Sequence, residues 1–153
     1  MSAQLKGRKV VFLAADGVEQ VELTAPWNAL KQAGADVTLL SDRIGEIQAV
    51  NHDEKGDRFS VDGLVSGASA RDFDALVLPG GVANPDRLRT NADAVKLVRE
   101  FMEADKPVAA IRHGPWPKLV ELLTDAIEER RLDKMVEQTF PASDPLPGPI
   151  ALG

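Results

Sequence analysis

Residues 9–40, KVVFLAADGVEQVELTAPWNALKQAGADVTLL, read as strand, helix and strand in succession. Lys9 to Ala14 is a compact apolar run of the kind that a parallel strand buried on both faces requires. Asp16-Gly17 breaks it with a turn. From Glu19 to Ala33 the apolar residues fall at helical spacing, with Leu23, Trp27 and Leu30 on one face and Gly34 placed to cap the C-terminus. Asp36 to Leu40 supplies the next strand. The three elements make a βαβ unit, whose crossover is right-handed in nearly all proteins.

The same alternation continues outward. Ser41 to Gly67 is polar and weakly periodic; Phe59 and Val61 alternate and Asp62-Gly63 signals a turn, so a β-ribbon or irregular excursion is expected rather than a helix. Asp74 to Leu78 is a strand ending at Pro79-Gly80-Gly81. Asn91 caps a helix with an apolar stripe of Val95, Val98, Phe101 and Met102. Pro107 to Ile111 is a further strand. These elements predict an α/β fold, a flavodoxin-like doubly wound and mainly parallel sheet with helices on both faces. The functional edge then lies at the carboxyl ends of the strands, near Asp16, Gly80 and Arg112.

Beyond Trp116 the character changes. Residues 117–138 have helical spacing among many charges, and Pro141 onward holds four prolines in nine residues. We therefore expect one α/β domain over residues 1–140 and a poorly ordered tail over 141–153.

The net charge is −6 and no Lys/Arg cluster stands out, which argues against nucleic acid and anionic membranes as partners. No apolar run approaches a membrane span or a leader segment, so a cytoplasmic location is expected. The chain has no cysteine and only two histidines, His52 and His113. Disulfides, thiolate metal sites and cysteine nucleophiles are excluded, a histidine-rich zinc site is excluded, and no metal or other cofactor is expected.

That absence matters at residues 109–116, Ala-Ala-Ile-Arg-His-Gly-Pro-Trp. A buried strand that stops at a tight turn before a helix is how α/β hydrolytic folds expose a nucleophile. Arg112 stands at the turn. Its guanidinium stays protonated and has no lone pair to attack with.

Three blocks carry a resemblance: Asp16-Gly-Val-Glu-Gln-Val-Glu-Leu23, Phe73-Asp-Ala-Leu-Val-Leu-Pro-Gly-Gly81, and Pro107-Val-Ala-Ala-Ile-Arg-His-Gly-Pro-Trp116. In this order and spacing the chain resembles the ThiJ/PfpI family of the class I glutamine amidotransferase-like superfamily, over about residues 7–116. The resemblance implies a flavodoxin-like domain that forms homodimers or larger rings. It also implies activities described as cysteine peptidase, glyoxalase, deglycase or stress protection, acting on small carbonyl compounds or peptides. By the same resemblance Arg112 takes the place of the catalytic cysteine, His113 is the histidine after it, and Glu22 is the glutamate that contacts the sulfur. Asp86 matches an acidic residue that a neighbouring subunit lends to the histidine, and the backbone amides of Gly80, Gly81 and His113 match an oxyanion cradle. The family's usual C-terminal part is not recognisable after Trp116, which leaves a sheet edge for residues 118–138 or a partner to cover.

Each of these positions also has a plainer reading. Glu22 fits a solvent-facing helix residue as well as a site residue. Arg112 is expected to pair with Glu22 and fill the pocket, with a receptor for a small anion as the alternative. His113 is expected to hold the turn rather than move protons, and Asp86 lies in Asn84-Pro-Asp-Arg, a turn-forming sequence. Trp27 and Trp116 are expected in the core or at a dimer contact. The resulting expectation is a pseudoenzyme or incomplete family member with a binding or structural role. The alternatives are a cysteine-independent glyoxalase, deglycase or hydrolase, and a protein-interaction module.

Overall fold

The structure is a computed structural model that describes residues 4–81, 87–111, 124, 127, 135–138 and 151–152. Strand β1 (Lys9–Leu13) opens the sheet, followed by α1 (Gln20–Gln32) and β2 (Asp36–Ser41). A hairpin of β3 (Glu46–Asn51) and β4 (Glu54–Ser60) then precedes the short β5 (Gly63–Leu64). After a 3-10 turn at Ala70–Asp72 come β6 (Ala75–Pro79), α2 (Ala92–Glu103), β7 (Val108–Ile111), β8 (Met135–Gln138) and β9 (Ala151–Leu152). The main sheet has the order β5-β2-β1-β6-β7-β8-β9. Its pairs are parallel except β8 with β9.

Period-two alternation in β1 divides the core in two. Val10, Phe12 and Ala14 face one cluster, which Leu23 and Leu30 of α1 complete. Val11, Leu13 and Ala15 face the other, where Ala94, Leu97 and Phe101 of α2 pack. All six β1-side residues are fully buried. At roughly 25 cal/mol per Å2 of apolar area, a strand covered on both faces is the main apolar anchor of such a fold. This is the doubly wound arrangement that the alternating apolar runs predict.

Local signals set the ends of the elements. Gly34 follows α1 with φ of +97°, a conformation that a side chain would strain. The Asn91 side chain accepts a hydrogen bond from the Ala94 amide at 2.9 Å and so caps α2. The excursion at 41–67 is a β-ribbon, as its alternation suggests, pairing Ile47 with Phe59 across the two strands.

Two expectations are corrected. The stripe of α2 is centred differently: Phe101 is buried and Val98 and Met102 pack beside it as expected, but Ala94 and Leu97 complete the buried face, whereas Val95 is 39% exposed. The helical reading of 117–138 fails at its end, because Met135–Gln138 is a strand parallel to β7, with Val108 opposite Met135 and Ile111 opposite Gln138. The edge of β7 is therefore covered by this chain itself. Long-range pairing to unsatisfied backbone groups outweighs local helical spacing there. The rest of 117–134 and the stretch 139–150 lie outside the described residues, apart from positions 124 and 127.

Replacing Asn91 with Ala removes the side-chain acceptor from the start of α2. The expected cost is about 1 kcal/mol, read as a lower urea midpoint at unchanged m-value, with Asn91→Gly losing less.

Candidate functional site

From β1 the chain runs to β2 on one side, and the later strands add from β6 on the other. The switch point therefore lies between β1 and β6, where loops leaving the two strand ends diverge and open a crevice. The loop after β1 carries Asp16 to Glu19; the loop after β6 carries Gly80 and Gly81.

The two loops are in backbone contact. The amide of Glu19 donates to the carbonyl of Gly80 at 3.0 Å. A Cβ on Gly81 would lie 2.7 Å from the Gly17 carbonyl oxygen and 2.8 Å from the Glu19 nitrogen, and Gly81 has φ of +129°. Both conditions demand glycine. At Gly80 a Cβ would overlap the Glu22 carboxylate oxygen Oε1 and lie 2.8 Å from the carbonyl oxygen of Ile111, the last residue of β7. Three elements thus converge on Gly80: the first turn of α1, the end of β6 and the end of β7.

Glu22 is only 6% exposed. The plainer reading of it as a solvent-facing residue is therefore set aside. It occupies the first turn of α1, where the partial positive charge of the helix N-terminus favours a carboxylate. Pro26, one turn later, has no N–H to offer the Glu22 carbonyl, so the helix is locally loosened at this residue.

A buttress behind the crevice was not legible as such in the sequence. The β3–β4 hairpin grips the β1–α1 turn residue by residue. The Asp16 carboxylate accepts from the Gln48 amide at 2.8 Å, and the Gly17 amide donates to the Gln48 carbonyl at 2.9 Å. The Val50 amide donates to Val18 at 2.9 Å, and the His52 amide to the Glu19 carboxylate at 3.0 Å. Gln20 accepts from the Asp57 amide at 2.7 Å and donates to its carboxylate at 3.0 Å. The block from Asp16 to Leu23 is thus fixed from outside as well as along the helix. The only hint in sequence is that this block mixes carboxylates and an amide beside a turn.

Two ion pairs join the segments around these strand ends. Arg43 pairs with Asp16 at 3.0 Å, and Arg87 reaches Asp42 at 2.8 Å, tying the segment after β6 to the end of β2. Ser41, fully buried, donates to Asp42 at 3.1 Å. Both arginines are about half exposed, so their pairs add little stability.

Of the expected site residues, Glu22, Gly80 and Gly81 meet at one point. Arg112, His113 and Asp86 lie outside the described residues, although β7 brings the chain to Ile111 beside Gly80. His52 is exposed at the hairpin turn with φ of +61°. Trp27 is half-buried and rests on Phe12, ring centroids 5.1 Å apart. Among the described residues no group of three or more histidines and carboxylates could hold a metal, and no helix is long and apolar enough to cross a membrane.

Residues 8–131 match the DJ-1/PfpI family. A deglycase of Pyrococcus horikoshii is 42% identical over 107 residues, 70% of this chain and 61% of that protein. General stress protein 18 of Bacillus subtilis is 35% identical over 109 residues, 71% of this chain and 62% of that protein. The chain thus spans about three fifths of the length of these curated relatives. Among solved structures, Toxoplasma gondii DJ-1 in its oxidized form superposes with a TM-score of 0.66 at 20% identity, over 90% of this chain and 84% of that one. It supports the flavodoxin-like fold alone. A two-domain protein from Anabaena variabilis, with DJ-1/ThiJ/PfpI-like and ferritin-like domains, gives 0.62 at 38% identity, over 76% of this chain and 34% of that one.

Substitution at the two glycines tests the convergence. Gly81→Ala meets backbone on two sides at positive φ and is expected to cost about 3 kcal/mol. Gly80→Ala is expected to cost less, because the Glu22 side chain can give way, and Glu22→Ala is expected to recover part of that loss in the double mutant. Chemical denaturation of the four proteins measures the coupling.

Proposed function

The chain belongs to the DJ-1/PfpI family, and we propose that within it the protein acts as a pseudoenzyme, a binding or structural member without thiol chemistry. One observation carries this reading. The residue that follows Ile111, at the end of β7 where Gly80 and Glu22 converge, is Arg112, and the chain contains no cysteine. Thiol catalysis needs a sulfur whose thiolate is favoured and a cradle of amides for the oxyanion it creates. The glycine turn and the buried carboxylate are consistent with a cradle. A guanidinium brings a permanent positive charge and no nucleophilic electron pair. Such a site suits a small anion or carbonyl compound as a ligand rather than as a substrate, in a homodimer or larger homo-oligomer.

The relative named a deglycase favours a second reading, in which Glu22 and His113 move protons on a carbonyl substrate without a covalent intermediate. Kinetics separate the two. Under the first reading, purified protein consumes methylglyoxal no faster than buffer does. Arg112→Cys is then expected to acquire a thiol that iodoacetamide alkylates faster than free cysteine at neutral pH. Turnover by the unaltered chain, abolished by both Glu22→Ala and His113→Ala, would establish the second reading instead.

A further inference from the structure

On the α1 side of β2, away from the crevice between β1 and β6, the packing of β4 leaves a cleft of about 480 Å3. Leu23 and Leu39, both buried, are its apolar floor. Trp27 and Phe59, both half-buried, are its aromatic walls, and Asn28 and Asp62 stand exposed at its mouth. The volume falls within the roughly 300–1,000 Å3 of small-molecule sites.

The cleft is built rather than incidental. The indole of Trp27 is seated on Phe12 at an interplanar angle of 59°. Asp62 is tied to β2 at both ends: its carboxylate oxygen Oδ2 accepts from the Leu39 amide at 2.7 Å, and its own amide donates to the Leu39 carbonyl at 2.8 Å. The negative charge is thereby held at the mouth while Oδ1 has no hydrogen bond among the described residues. Among the described residues that line the cleft there is no lysine, arginine or histidine.

These features select a charge type. Aromatic faces attract cations, and so does a carboxylate with no cationic side chain among the described residues of the lining. The leucine floor takes an apolar body. An anion would be repelled, and a neutral apolar molecule would gain only the floor. We propose that this cleft binds a small organic cation, an ammonium group carried on an apolar stem. The site is separate from the glycine turn and does not depend on whether that turn supports catalysis.

The chain carries two tryptophans, Trp27 and Trp116, so Trp116→Phe leaves Trp27 as sole reporter. Phenethylammonium is titrated against this variant by fluorescence and against the unaltered chain by calorimetry, with phenethyl alcohol as the neutral analogue and phenylacetate as the anion. Saturable binding of phenethylammonium is expected, about tenfold tighter than the alcohol, with no binding of phenylacetate. Asp62→Asn keeps an oxygen to accept from the Leu39 amide. It is expected to weaken phenethylammonium about threefold and leave the alcohol unchanged. Equal binding of ammonium and alcohol, absence of saturable binding in either assay, or an unaffected Asp62→Asn variant would overturn the proposal. So would concentration-dependent self-association, by sedimentation, that buries Trp27 and excludes the cation.

Discussion

The close approach of two backbones at Gly80-Gly81 is the constraint on which the rest of this molecule depends. Parallel strands β1 and β6 are held about 4.8 Å apart by their hydrogen bonds. Loops leaving their carboxyl ends must either diverge at once or interlock. Here they interlock: Glu19 donates to Gly80, and Gly81 sits where even one methyl group would strike Gly17 and Glu19. That contact fixes where α1 begins, and therefore which way its first-turn carboxylate faces. Glu22 is consequently held against Gly80 and the end of β7, buried in the crevice rather than turned to solvent.

A turn held so tightly needs support from the far side. The β3–β4 hairpin supplies it with amide and carbonyl groups from Gln48, Val50, His52 and Asp57. The side chains of Asp16, Glu19 and Gln20 serve this attachment. The polar residues of the Asp16–Leu23 block therefore divide by role. Glu22 faces inward toward the glycines, and its neighbours in sequence clamp the hairpin. The hairpin also shapes the aromatic cleft, since Phe59 of β4 faces Trp27 of α1 across it. One excursion of chain thus stabilises one crevice and encloses another.

The family relation constrains chemistry less than it constrains shape. The relatives that resemble this chain extend well beyond the shared stretch, and names such as deglycase describe those proteins. What this chain shows is the end of β7, the glycine turn and the buried Glu22 side by side. The residue after Ile111 in the sequence is Arg112, and the chain has no cysteine. A shared fold does not by itself assign a shared reaction.

The doubly wound sheet was legible in the sequence, because short apolar runs such as Val10 to Ala14, alternating with helical spacing, suit strands buried on both faces. The sequence by itself determined the glycine turn, the cap at Asn91 and the absence of a thiol, each set by the identity of one or two residues. The burial of Glu22, the grip of the hairpin on the β1–α1 turn, and the strand at Met135–Gln138 were decided only by the tertiary structure. The physical reason is common to all three. A carboxylate in a helix's first turn is compatible with solvent or core until neighbouring strands are placed. The hairpin's bonds join residues more than thirty positions apart, such as Asp16 and Gln48. Residues 135–138 carry helical spacing, and a strand forms there because β7 presents an unpaired edge at matching register. Local periodicity records which groups must be buried, and the partner that buries them is a property of the assembled sheet.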